Sequence, residues 1–529
     1  MAAARPPSFL VFMTDQQRAD HLGCYGNRTI RTPHIDGIAQ RGTLFDRCYV
    51  ASPVCMPNRA ALATGRMPGV AGVRMNGVPL PLSARTHVEA LRERGWRTAL
   101  VGKAHLQNMT DVPATWMHAV DTTTGGVQAT TDARTGAEYQ QESAARWRDP
   151  GHAVSTPYYG FDHVELCLEH GDEVGGDYAR WLAARGVDAA ARTGPARPGA
   201  TEGMVAPQTW RTGLAEDDYP SAFVRDRTVA WLEAHARRGG DSPFYVQCSF
   251  PDPHHPFAPP GRWFDAYRPE DIELPASFAA GAASAHPVVA ALHAERVEGR
   301  RNAARSSRAI AVNEAEARQA IAVNYGSIAL VDHMIGDVLA ALQRLDLARD
   351  TVVVFLSDHG DFMGDHGLLF KGPLHLRSLI RMPFLWADPQ SAARGRRESL
   401  ASAIDLAPTV LARAGVPAHH GLQGIDLAPA LDAAAATRDA VLIEESGHRA
   451  LPGMRSMPRV RTLVTARWRL SVHAGEDWGE LYDLCDDPGE CRNLWLDSGA
   501  AQVRAELLWQ LADALARHAD ECPLPARMA

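Results

Sequence analysis

At 529 residues the chain is long enough for a large core and more than one structural unit. A formal charge of -8 is small for that size, and the basic residues are scattered, which argues against a nucleic-acid partner. The eight cysteines show no paired zinc spacing and no uninterrupted apolar run approaches the roughly 18 residues of a membrane span, so the expectation is a cytoplasmic protein with no membrane contact and no leader ahead of its first apolar run.

In chain order, Phe9 to Met13 reads as a buried strand and runs into Thr14-Asp15-Gln16. Cys55 precedes a helical stretch, Pro57 to Thr64, with Pro57 suited to its first turn; the free N–H groups there would stabilise an anionic nucleophile or oxyanion. A helical pattern over Val88 to Arg94 leads into a second strand, Thr98 to Val101, which ends in Gly102-Lys103-Ala104-His105. Residues 108 to 215, including Thr122 to Gly126, show little periodicity and read as an insertion suited to a lid or a subunit contact. The helical stretch Ala222 to Ala236 and the strand Phe244 to Phe250 follow, and that strand releases Pro251-Asp252-Pro253-His254-His255-Pro256. Residues 280 to 316, rich in Ala, Arg and His, read as a second insertion. A long helix from Arg318 to Leu345 presents Ile321, Ile328, Val331, Ile335 and Leu339 on one face, and the strand Val352 to Leu356 then opens onto Ser357-Asp358-His359-Gly360. From about residue 430 the strands Val460 to Val464 and Trp468 to Val472, with a helix near Ala501 to His518, form a separate small unit.

Short apolar runs alternating with amphipathic helices predict an α/β fold with a large, mostly parallel sheet flanked by helices over residues 1–430, and a smaller C-terminal α+β subdomain over 431–529. The carboxyl ends of parallel strands share one edge, where such sheets bind ligands. Asp15, Lys103, His105, His254, His255, Asp358 and His359 therefore converge on one site. Two converging carboxylates, Asp15 and Asp358, repel unless a cation or a shared proton offsets them. Hard oxygen ligands favour calcium, magnesium or manganese, while His359 keeps manganese, iron or zinc open. Other readings fail on residue identity: Gly102-Lys103 is followed by Ala104, where a phosphate loop needs Ser or Thr, and Gly360 occupies a ligand position of an EF-hand loop.

The run Cys55-Met56-Pro57-Asn58-Arg59 resembles the signature of type I sulfatases of the alkaline phosphatase superfamily. Further matching features follow in that family's order: Asp15, Gly-Lys-Ala-His at 102–105, Pro-His-His-Pro at 253–256, Ser-Asp-His-Gly at 357–360, Lys371, Ile404-Asp-Leu-Ala-Pro-Thr409, and Glu480-Leu-Tyr-Asp-Leu-Cys-Asp-Asp-Pro-Gly-Glu490. The resemblance implies an alkaline phosphatase-like sheet and oxidation of Cys55 to formylglycine by a formylglycine-generating enzyme. The hydrated aldehyde would attack a small-molecule sulfate ester and then expel sulfate through its second hydroxyl. It further implies that Asp15, the modified Cys55, Asp358 and His359 hold one divalent metal, calcium foremost. Arg59 would orient the aldehyde hydrate, Lys103 and Lys371 would grip sulfate oxygens, His105 would assist breakdown of the covalent ester, and His254 would serve the leaving group. Asn76 stands where the phosphonate monoester hydrolase branch has an asparagine near substrate, and His255 reads as packing or substrate contact. A homo-oligomer is expected. Gln16 and His359 depart from the commonest pattern, Asp followed by Asp and Asp followed by Asn. This leaves two alternatives: a phosphonate monoester or phosphodiester hydrolase with the same site, and an unconverted, nonenzymatic binding protein.

Overall fold

The computed structural model describes residues 6–111, 130–240, 242–301, 308–433, 435–447 and 450–527. Its strands, in chain order, are β1 (Ser8–Thr14), β2 (Thr43–Tyr49), β3 (Arg97–Gly102), β4 (His163–Leu168), β5 (Gly175–Gly176), β6 (Phe244–Ser249), β7 (Ile310–Ala311) and β8 (Thr351–Ser357). They are followed by β9 (Leu368–Leu369), β10 (Phe384–Ala387), β11 (Gly395–Ser402), β12 (Ala440–Ser446), β13 (Arg459–Thr465), β14 (Trp468–His473) and β15 (Gly479–Asp483). Nine strands form one sheet in the order β11-β2-β10-β8-β1-β6-β3-β4-β5. Only β10 and β5 run against the rest, so the sheet is mixed and predominantly parallel. The predicted fold class holds, and the four strands expected to carry the site are β1, β3, β6 and β8, side by side in the middle of the sheet.

Their apolar runs follow from being covered on both faces. Every residue of β1 is buried, with Phe9, Val11 and Met13 in one core layer and Leu10 and Phe12 in the other. The helix Glu314–Arg344 packs in the second layer through Ile321, Ile328, Val331 and Ile335, with Leu339 half-buried. Its length and apolar content match those of a membrane span, but 78% of its most apolar window is buried inside the protein, where it serves as a core helix. At the carboxyl edge, backbone bonds tie neighbouring strand ends together: Asp358 N to Thr14 O (3.2 Å), Asp15 N to Asp252 O (3.1 Å) and Lys103 N to Ser249 O (2.9 Å).

The stretch expected as an insertion over 108–215 contains β4, which pairs in parallel with β3 and extends the main sheet. Thr122 to Gly126 lie outside the described residues. Within 280–316, β7 pairs with β9, a two-stranded ribbon immediately before Phe370 and Lys371. The strands β12 to β15 form a separate antiparallel sheet, followed by the helix Ala501–Arg517.

Candidate active site

The helix carrying Cys55 spans Cys55–Thr64, so Cys55 lies in its first turn rather than ahead of it as expected. Pro57, third in the helix, lacks only an N–H that would have had no partner within the helix. Val54 offers no side-chain cap. The cap comes instead from Asn76, whose Oδ1 accepts the Met56 N–H (3.1 Å). Asn58, not singled out from sequence, accepts the Ala51 N–H (2.8 Å) through Oδ1 and donates through Nδ2 to the Asp358 carbonyl, clamping this helix to the end of β8.

Cys55 Sγ lies 3.1 Å from His359 Nε2 and 3.2 Å from Lys371 Nζ. Burial pushes the thiol up, but Lys371 and, more weakly, His359 and Lys103 outweigh it and leave the thiol below its usual value. His359 donates through Nδ1 to the Gly360 carbonyl (2.8 Å), which turns Nε2 toward Cys55. Burial lowers the basicity of that ring, and Asp358 together with Cys55 more than reverses the effect. Lys371 Nζ also reaches Gln16 Oε1 (2.7 Å) and His254 Nε2 (3.1 Å).

Arg59 is buried and spans the two carboxylates, with Nη2 3.2 Å from Asp15 Oδ2 and Nε 2.8 Å from Asp358 Oδ2. Its remaining bonds go to the Lys103 carbonyl (2.9 Å) and Ser249 Oγ (3.1 Å). Lys103 Nζ donates to Asp15 Oδ2. Burial raises the pKa of Asp15, but Lys103, His254, Arg59 and Lys371 together hold it well below the carboxylate range. The repulsion that suggested a metal is therefore partly offset by the protein's own cations. The stronger argument for an ion is Asp15 Oδ1, a buried acceptor with no hydrogen-bond partner. The ligand atoms of Asp15, Cys55, Asp358 and His359 all lie within 4.8 Å of one another, and the two carboxylates and one imidazole nitrogen among them fit a divalent ion. Gln16 is absorbed elsewhere: its Oε1 accepts from Lys371, and its Nε2 donates to Asp361 and reaches His255 Nδ1 (3.1 Å).

Asp361 also accepts the N–H groups of Met363 (2.8 Å) and Phe370 (2.9 Å), shaping the loop that presents Lys371. His255 packs on Phe370 with ring centres 4.1 Å apart. His254 stacks on His170 at 3.6 Å, and burial, followed by the neighbouring His170 and His255, holds its pKa well below the imidazole range. His105 sits beside this group with a left-handed backbone (φ 53°), and its N–H is held by Glu142 Oε2 (2.7 Å). Burial and the Lys103 charge keep its ring neutral.

The structure thus brings every site residue expected from the sequence to one edge of the sheet and adds Asn58, Glu142, His170 and Asp361. His170 had a readable signal: Val164, Leu166 and Leu168 alternate as in a strand, and His170 follows that strand's carboxyl end. Glu142 lies in a loop with no such mark.

A family model described as Sulfatase matches residues 7–416, and one described as N-sulphoglucosamine sulphohydrolase, C-terminal, matches residues 364–517. An arylsulfatase of Clostridium perfringens is 26% identical over 508 residues, covering 92% of this chain and 90% of the relative. A choline-sulfatase of Rhizobium meliloti is 24% identical, covering 92% and 82%. The crystal structure of a phosphonate monoester hydrolase of Agrobacterium radiobacter superposes with a TM-score of 0.75 at 25% identity, covering 97% of this chain and 96% of that one.

Proposed function

The chain belongs to the sulfatase family, and from that premise we propose that it hydrolyses a small-molecule sulfate monoester through a formylglycine made from Cys55 and one divalent metal ion. The observation that carries the reading is the convergence on Cys55 Sγ of Lys371 Nζ (3.2 Å) and His359 Nε2 (3.1 Å), beside the unpartnered Asp15 Oδ1. The thiol marks the place where the oxygens of the hydrated aldehyde would lie. Asp15, Asp358 and His359, with position 55, would hold the ion, which supplies Lewis-acid polarisation of an ester oxygen and favours the ionised nucleophile. Lys103 and Lys371 flank position 55 and direct positive charge at the transferring group. His254 stands beside Lys371, within reach of a leaving-group oxygen, and the neutral His105 is suited to accept the proton whose loss releases sulfate. Arg59 keeps the two carboxylates in place.

One observation favours a second reading. Gln16 supplies a neutral amide bound to Lys371 and Asp361 where a further carboxylate is common in the family, a departure shared by branches that act on phosphonates and phosphodiesters, which carry the same single negative charge as a sulfate monoester. Phosphonate monoesters and phosphodiesters are therefore included as alternative substrates, in line with the phosphonate monoester hydrolase whose fold is shared.

The test is peptide mass spectrometry across Cys55 on protein produced with a formylglycine-generating enzyme, followed by turnover of aryl sulfates and phosphonate esters. An aldehyde or its hydrate at position 55 with sulfate release supports the reading. An unmodified thiol with no turnover refutes it and leaves a binding protein.

A further inference from the structure

We propose that His170 is a positioning residue of this site, holding Lys103 by an accepted hydrogen bond and His254 by ring stacking, so that one side chain sets both the sulfate grip and the leaving-group histidine. The inference rests on the proposed hydrolase reading.

The placement is built into the fold. His170 follows β4 between two left-handed residues, Glu169 (φ 68°) and Gly171 (φ 60°), which fold the chain back over the sheet edge. A Cβ at Gly171 would meet the Pro256 carbonyl oxygen at 2.6 Å, so glycine is required there. The turn carrying His170 is thereby seated against the loop carrying His254.

His170 Nε2 lies 2.5 Å from Lys103 Nζ. An ammonium only donates, so Nε2 is the acceptor and the ring is neutral. Burial, reinforced by Lys103 and Lys371, favours that state. Of the three ammonium hydrogens, one goes to Asp15 Oδ2 and one to His170, which fixes the position of Nζ and leaves one hydrogen for a further acceptor. The opposite contact is a parallel stack on His254, with centres 3.6 Å apart and planes 15° apart. His254 is thus held by the ring of His170, by the His255 ring 4.1 Å away, by donation from Nδ1 to the His255 carbonyl and by Lys371 at Nε2 (3.1 Å), and of these only the His170 stack also ties it to Lys103. Asp15, His170 and His254 also present ligand atoms close enough for an ion, but Lys103 Nζ already sits among them and fills that role with its own charge.

Two substitutions separate the functions. His170→Gln offers Lys103 an amide oxygen but no ring, whereas His170→Phe keeps a ring for His254 but no acceptor. Across a series of aryl sulfates of rising leaving-group pKa, His170→Gln should lose about 10-fold to 100-fold more kcat/KM on the poorest leaving groups than on the best, the signature of a misplaced leaving-group histidine. His170→Phe should lose activity evenly across the series and raise KM. In unconverted protein, which needs no turnover, inorganic sulfate should raise the melting temperature of wild type and His170→Gln but not of His170→Phe. An equal sulfate response in both variants, or equal losses with an unchanged leaving-group dependence, would overturn the assignment. Wild-type protein that binds sulfate with this pattern but turns over no ester would refute the hydrolase reading and leave the Lys103 half of the assignment standing.

Discussion

Glu142→Gln isolates what holds the His105 turn. Glu142 is fully buried and accepts four hydrogen bonds: His105 N to Oε2 (2.7 Å), and Leu106 N (2.9 Å), Gln107 N (2.9 Å) and Tyr158 Oη (2.6 Å) to Oε1. Burial pushes its pKa up, but every partner donates, so the pocket is built for the ionised form. A glutamine can present its oxygen to one side only. The arrangement that loses least keeps the Oε1 partners and turns the amide NH2 toward the His105 N–H, leaving one buried donor facing another. An unsatisfied buried donor costs about 1–3 kcal/mol, and the retained bonds lose their charge assistance, so a destabilisation of about 3 kcal/mol is expected in urea unfolding. The His105 backbone, at φ 53°, would then lose its anchor. Displacement of its ring by roughly 1 Å should lower kcat/KM about 100-fold. Tyr158→Phe in the same protein should couple to Glu142→Gln by at least about 0.5 kcal/mol, because the two groups share a bond. Unfolding within about 0.5 kcal/mol of wild type, together with activity within about threefold, would show that this carboxylate does not hold the turn.

Asp252, buried beside the hydroxyls of Tyr219 and Ser221, has its pKa pushed up by burial to about 7. Because the folded value exceeds the unfolded one, about 3.9, the folded chain retains a proton that the unfolded chain gives up; stability should fall as pH rises from about 4 to about 7, by about 4 kcal/mol in all. Asp252→Asn removes that slope, and parallel stability–pH curves for the two proteins would contradict it. Arg469 is fully buried between Glu480 Oε2 (3.2 Å from its Nη1) and Glu490, so Arg469→Met strands two buried carboxylates and should cost about 3–5 kcal/mol, with Glu480→Gln restoring part; urea unfolding of the small sheet is the measure. A divalent cation at about 100 times its Kd should stabilise the protein by about 2.7 kcal/mol, and Asp358→Asn should abolish the effect; thermal unfolding that ignores both cation and chelator would remove the metal from the site.

Much of the site was legible because the central strands are covered on both faces and so read as unbroken apolar runs, as at Phe9–Met13 and Val352–Leu356. The residues just beyond the carboxyl end of each run then lie at the ligand-binding edge. Strand β2 escaped notice because Asp46 and Arg47 interrupt it; both are half-buried, and they meet Arg396 and Glu398, both on β11 at the edge of the sheet. β4 was hidden inside a stretch whose polar composition suggested an insertion, and His170 was hidden with it.

The four apolar strands that carry the site, the residues just beyond their carboxyl ends and the cysteine pentapeptide were therefore determined by sequence alone, because each is a property of consecutive residues. The tertiary structure decided the rest: that Asn76 caps the Cys55 helix, that Gln16 serves Lys371 and Asp361, that Arg59 bridges the carboxylates, and that His170 joins Lys103 to His254. Each of these is a contact between residues distant in the chain, 67 positions apart for Lys103 and His170 and 355 for Gln16 and Lys371. Such contacts depend on where the packed sheet places its loops, and a polar side chain's partner is set by whichever group burial leaves within reach.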